Sequence, residues 1–151
     1  MISRIVNNID DFARLAFPYA LEIERSQKHI SLITDRKGNV LSVGTNDRKI
    51  HTEAAKIGYR FDEVHAELDA MLKLKPHLRN NKNLVLLNFR FNRFGDLRMS
   101  RPCSKCMPWC KALFKRIIYT TREGYEILIP NRDEKKVLDM PVDRLNIKGT
   151  M

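Results

Sequence analysis

Residues 84–91, Leu84-Val85-Leu86-Leu87-Asn88-Phe89-Arg90-Phe91, form the strongest β run in the chain, and what flanks them decides the fold. Upstream, Val64–Leu74 reads as a helix, with Leu68, Met71 and Leu72 at helical spacing and Pro76 ending it. Downstream, Cys103–Arg116 reads as a second short helix, approached through a turn at Pro102. Beyond it lie two strands, Ile117–Thr120 and Tyr125–Ile129, joined only by Thr121-Arg122-Glu123-Gly124. So short a connector cannot hold a helical crossover, so these two strands pair antiparallel. Toward the N-terminus, Ile30–Thr34 and Val40–Val43 are strands joined by a hairpin-type turn, Asp35-Arg36-Lys37-Gly38-Asn39. Asp10 or Asp11 can cap a first helix running roughly to Ser26, with Phe12, Leu15, Ala16, Tyr19, Ala20 and Ile23 on one side and Pro18 as a candidate kink. A polar loop from Gly44 to about Asp62 and a polar, weakly periodic tail after Ile129, running through Pro141 to Met151, complete the chain.

The element order is therefore α-β-β-α-β-α-β-β. Alternation of this kind predicts an α/β fold: a three-layer α/β/α sandwich around a five-stranded mixed sheet, its last two strands antiparallel. The 151 residues suit a single domain spanning 1–151, and no repeat or Pro/Gly-rich linker divides them. No run of 18 apolar residues exists, which excludes a membrane-spanning helix. The first ten residues, ending in Asp10, lack the apolar core of a signal peptide, and the expectation is a cytoplasmic protein.

The three cysteines, Cys103, Cys106 and Cys110, fall within eight residues of one another. An odd, tightly clustered set makes a poor disulfide framework and reads as metal-binding or redox-active. Charge is equally uneven. Met71–Arg122 holds 13 Lys/Arg against one acid, Asp96, while the remainder of the chain nets −2. Such a segment is either a solvated basic face or an attractor for a phosphate-bearing partner.

Two motifs carry the chemistry: His65-Ala66-Glu67 at one helix start, and Pro102-Cys103-Ser104-Lys105-Cys106 at another. Cysteines three apart at a helix start present both sulfurs to one side, where free N–H groups favour thiolates. A neutral imidazole from the facing helix completes a three-ligand set, leaving a fourth tetrahedral position for water, as a catalytic zinc requires. Zinc lowers the pKa of that water from about 15.7 toward about 7. Glu67, two residues from His65, diverges from it on a helix and suits proton transfer rather than the same metal.

Together these motifs resemble the His-x-Glu and Pro-Cys-x-x-Cys signature of the zinc-dependent cytidine and deoxycytidylate deaminase superfamily, and the α-β-β-α-β-α-β-β order, from roughly Phe12 to Ile129, is similar to that family's. The resemblance implies one zinc on His65, Cys103 and Cys106, and Glu67 as the catalytic acid/base. It also implies substrate contacts from Ala66 and Pro102 and, through a Gly-x-Asn at Gly44-Thr45-Asn46, from Asn46. It implies hydrolytic conversion of a cytosine nucleoside or nucleotide to the uracil form, with loss of ammonia, by a protein that forms homo-oligomers.

On substrate, two family features pull apart. Antiparallel final strands resemble the free-nucleoside and toxin-type branches, whereas His-Ala-Glu resembles the nucleotide and nucleic-acid branches. The basic segment adds weight to phosphate, and a cytosine deaminase of single-stranded DNA or RNA is the alternative. A non-catalytic nucleic-acid-binding protein with a structural zinc is the reading from another class, although it has no use for Glu67. The cysteines alone would also allow a redox dithiol, or a structural zinc with Cys110 as fourth ligand; Cys110 reads better as a buried core thiol. Trp109 reads as packing, and His51 and His77 as surface residues, with His51 a candidate for the pocket. Phe89, Phe91 and Phe94 are expected in the core, with Arg90 and Arg93 facing either solvent or phosphates.

Overall fold

The computed structural model describes residues 9–23, 26–46 and 65–130. The expected polar loop from residue 47 onward, with His51, and the tail from residue 131 lie outside them. Among the described residues there are three α-helices, α1 (Ile9–Leu21), α2 (Ala66–Lys73) and α3 (Met107–Leu113). The five strands are β1 (Lys28–Thr34), β2 (Val40–Thr45), β3 (Val85–Phe91), β4 (Arg116–Thr121) and β5 (Gly124–Leu128). They form one mixed sheet in the order β2-β1-β3-β4-β5. The β3–β4 pair is parallel and every other pair antiparallel, including β4–β5 across the short Thr121–Gly124 connection.

Strand alternation divides the sheet into two faces. Ile30 and Leu32 of β1, Val85, Leu87, Phe89 and Phe91 of β3, and Ile118 of β4 pack with Ala16 and Ala20 of α1. The opposite residues, Ile33, Leu86, Ile117 and Tyr119, pack with Leu68 and Met71 of α2 and with Trp109 and Cys110 of α3. This is the expected three-layer α/β fold. Because helices cover both faces, β3 is apolar on both, which is why its run is so nearly continuous.

Several boundaries differ from the sequence expectation. Helix α1 ends at Leu21 rather than near Ser26, and Asp10 and Asp11 lie inside its first turn. There they complement the positive helix end rather than cap it. Pro18 is accommodated within α1 on its exposed side, where water can satisfy the carbonyl that loses its partner. Helix α3 starts at Met107, not Cys103, and stops at Leu113. Pro108 has no amide hydrogen to give, so it fits the first turn and would break a helix begun four residues earlier. Strand β2 continues through Gly44 and Thr45, which the sequence assigns to a loop.

That extension matters, because β2 is where α2 is fastened. Ser42 Oγ donates to the Ala70 carbonyl (2.6 Å) and the Thr45 amide donates to Asp69 Oδ2 (2.9 Å). Gly44 lies directly under the helix: a Cβ there would overlap Ala66 O, Ala70 N and the Ala70 methyl. Two of those three obstacles are main chain, which cannot swing aside. We expect Gly44→Ala to lower the unfolding free energy by about 1–3 kcal/mol, the usual cost of forced overpacking, as measured by denaturant titration.

Candidate active site

The start of α2 and the turn leading into α3 meet at the carboxyl ends of β2 and β3, where open α/β sheets commonly hold ligands. His65 is the N-cap of α2, with extended backbone (φ −65°, ψ 146°). Cys103 opens the turn whose carbonyl accepts from the Cys106 and Met107 amides (3.1 and 2.8 Å), and Cys106 is the N-cap of α3. His65 Nδ1 lies 3.3 Å from the Cys103 sulfur and 3.3 Å from the Cys106 sulfur.

What brings Cys103 there is a buried polar lattice under the cavity. Asn88 of β3 accepts from Ser31 Oγ (2.6 Å) and donates to the Ser100 carbonyl (3.1 Å). Ser100 Oγ donates to the Asn88 carbonyl (2.7 Å), and the Ser100 and Thr120 main chains are joined through Ser100 N to Thr120 O (2.9 Å). Thr120 Oγ1 donates to the Arg98 carbonyl. Residues 98–100 are thereby pinned between β3 and β4, and Pro102-Cys103 follows directly.

One imidazole and two sulfurs suit a borderline-soft divalent metal, and zinc above all. Around a tetrahedral zinc, N–S and S–S separations are roughly 3.5 and 3.8 Å. The three donor atoms here all fall within 4.8 Å of one another, so the arrangement fits. The two thiols divide one proton unequally. Cys103 is held down to about 3 by the hydrogen bond from Cys106 and by His65, against the effect of its own burial. Cys106 is pushed up, first by that same bond and then by burial. A metal would therefore meet one thiolate already formed.

Glu67, in the first turn of α2, is buried. Burial pushes its pKa up; its own backbone amide, the His65 charge and a hydrogen bond with Asn88 oppose this. A carboxyl so placed holds a proton more readily than an exposed one, as a proton-transfer group does. His65, Ala66, Glu67 and Cys103 line a cavity of about 150 Å³ together with His29, Asn46 and Arg101. Asn46 is clamped to β1, accepting from the His29 amide (2.9 Å) and donating to the Gln27 carbonyl (3.0 Å). Pro102 is buried and is not among the described residues that line the cavity.

Of the other residues singled out by sequence, Cys110 and Trp109 are fully buried in the α2–α3 core, and His77 is exposed. Phe89 and Phe91 are core residues, but Phe94 is not: it is 75% exposed. It follows the end of β3, on a turn where Asn92 Oδ1 accepts from the Phe94 and Asp96 amides (2.9 and 3.0 Å), so strand alternation no longer governs it. His29 and Arg101 were not anticipated at the site. The sequence reading starts β1 at Ile30, whereas pairing with β3 starts it at Lys28, and this puts His29 in register with Arg90. With His29 included, the alternation His29, Ser31, Ile33 would have assigned it to the site face. Arg101 is held at the cavity by a bond from Nη1 to Tyr119 Oη (2.8 Å), and Tyr119 in turn donates to Glu126 (2.5 Å).

Among solved structures, a cytidine deaminase from Burkholderia pseudomallei matches with a TM-score of 0.53 at 13% identity, covering 81% of this chain and 90% of the other. A cytidine deaminase from Mycobacterium leprae gives 0.55 at 14% identity, covering 85% and 98%. The chain has the cytidine deaminase fold. By sequence, no family model and no curated protein matches it. Among the described residues, His65, Cys103 and Cys106 are close enough together to hold a metal ion.

His29 gives the site a measurable acid sensitivity. Burial, then the charges of Arg90 and His65, push its pKa down to about 4, although Cys103 pulls the other way. The unfolded value is about 6.5, so below that pH the unfolded chain takes up a proton that the folded one refuses. Stability is unaffected above pH 6.5 and falls as the pH drops toward 4, by at most about 3 kcal/mol. Denaturation midpoints measured across that window should show the loss, and His29→Gln should flatten it.

Proposed function

We propose that this chain is a zinc-dependent hydrolytic deaminase that converts the cytosine of a nucleoside or nucleotide to uracil with release of ammonia. The observation that carries the reading is the meeting of His65, Cys103 and Cys106 around one point, with the buried carboxyl of Glu67 in the same cavity. A purely structural metal has no need of an open cavity or of a neighbouring carboxyl. The pocket's size supports a pyrimidine: a cavity of about 150 Å³ is known to admit a single six-membered ring.

His65, Cys103 and Cys106 would hold the metal. Zinc bound there supplies Lewis acidity and a water that ionises near neutral pH. The remaining chemistry belongs to the chain. Glu67 accepts one proton of the attacking water and passes it to the ring nitrogen. It then takes the second from the hydroxyl formed on the ring carbon and delivers it to the departing amine as the carbon–nitrogen bond breaks. Water and cytosine thus become uracil and ammonia, with Glu67 regenerated as it began. Asn46 and Ala66, which line the cavity, are the substrate contacts, and Pro102 supports the turn behind them; the bonds to His29 and Gln27 fix the Asn46 amide before substrate arrives. His29, neutral at physiological pH, offers a polar ring without adding charge. A cytoplasmic setting, where thiols stay reduced, fits three unbridged cysteines.

Two variants separate metal from proton chemistry. Glu67→Gln should cut ammonia release from cytidine or dCMP by about 10²–10⁴-fold, with zinc content near one per chain by elemental analysis. Cys103→Ser should lower both zinc content and activity. Undiminished turnover by Glu67→Gln would refute the proton-transfer role.

A further inference from the structure

A second cavity lies on the opposite face of the sheet from the first, at the same end of β1 and β3. Phe17, Leu21, Lys28, Phe91, Arg93 and Phe94 line it. Adjoining register rows border the two: His29, paired with Arg90, the first, and Lys28, paired with Phe91, the second. Arg90 is tied in place by bonds to Gln27 Oε1 (2.9 Å) and the Met99 carbonyl (3.4 Å). Arg98 is joined through its main chain to Arg90 (2.7 Å), and Arg101 closes the row beside the catalytic cavity. Five cations, Lys28, Arg90, Arg93, Arg98 and Arg101, thus lie at or just beyond one end of the central strands β1 and β3, with Asp96 the lone acid between Met71 and Arg122.

At the far end of this row Phe94 stands 75% exposed. It is not a slack side chain. Asn92 locks the turn, Gly95 adopts φ +85°, and the Arg93 guanidinium sits 4.9 Å from the centre of the Phe94 ring. An aromatic held outward on a rigid turn, backed by an arginine and approached along a basic row, has the chemistry of a base-stacking platform. A mononucleotide would engage one or two cations and leave Phe94 idle.

We infer that the physiological substrate is single-stranded nucleic acid: one cytosine enters the cavity at Glu67 while a flanking stretch crosses Arg101 and Arg90, passes over the ends of β1 and β3, and stacks a base on Phe94. This rests on the deaminase reading and names its substrate class. Zinc-loaded wild-type protein and Phe94→Ala are compared on dCMP and on single-stranded DNA and RNA 12-mers carrying one cytosine. Binding of the same strands is followed by fluorescence anisotropy in the Glu67→Gln background. Wild-type protein should favour an oligonucleotide over dCMP in kcat/KM. Phe94→Ala should weaken strand binding and oligonucleotide kcat/KM by about 5- to 100-fold, the range of one lost stacked base. Its dCMP turnover should be unchanged, and Phe94→Trp should restore the strand. Arg93→Ala should flatten the dependence of log affinity on log salt by about one unit. Turnover of dCMP with strands bound no better by wild-type than by Phe94→Ala would overturn the inference and spare the deaminase reading. Phe94-dependent strand binding with no ammonia from any cytosine compound would do the reverse, overturning the deaminase reading while supporting the strand surface.

Discussion

The His65 imidazole is held 3.3 Å from each of two sulfurs, 38 and 41 residues away in sequence, and the rest of the molecule is arranged to make that possible. Polar groups this close in a partly buried place oppose folding unless something binds them or they bind each other. Their hydrogen bonds favour the thiolate at Cys103 and the thiol at Cys106. The geometry depends on two fastenings. Helix α2 is fixed to β2 through Gly44, Ser42 and Thr45, and residues 98–100 are fixed between β3 and β4 by Asn88, Ser100 and Thr120.

Asn88 joins these two functions. Its amide lies beneath Glu67 and also supports the segment that leads to Cys103. A buried asparagine costs free energy unless every polar atom is used, and here Ser31, Ser100 and Glu67 use them. Glu67 and the turn that carries Cys103 are therefore positioned by one side chain. That arrangement couples the two without direct contact between them.

Much of this was legible in the sequence because the signals are local. Hydrophobic runs, Pro76, the Asp35–Asn39 turn and the four-residue Thr121–Gly124 connection are each enough to assign an element, and the antiparallel β4–β5 pair followed from connector length alone. The motif residues announced themselves by spacing. What was not legible depends on pairing across the chain. Lys28 and His29 have little intrinsic strand character, and only their register with Phe91 and Arg90 makes them strand, and so brings His29 to the cavity. Phe94 continues an apparent aromatic alternation but falls beyond the strand, where the Asn92 turn faces it to solvent. The start of α3 was misjudged for a local reason, since Pro108 sets it at Met107 and leaves Cys103 on a turn.

X-ray absorption at the zinc edge of the metal-loaded protein reads the ligand set itself. Expected is a shell of two sulfurs at about 2.3 Å, one nitrogen at about 2.0–2.1 Å, and a fourth light ligand exchangeable with solvent. A third sulfur in the shell would mean that Cys110 has joined, and would contradict the open site by making it a closed structural one.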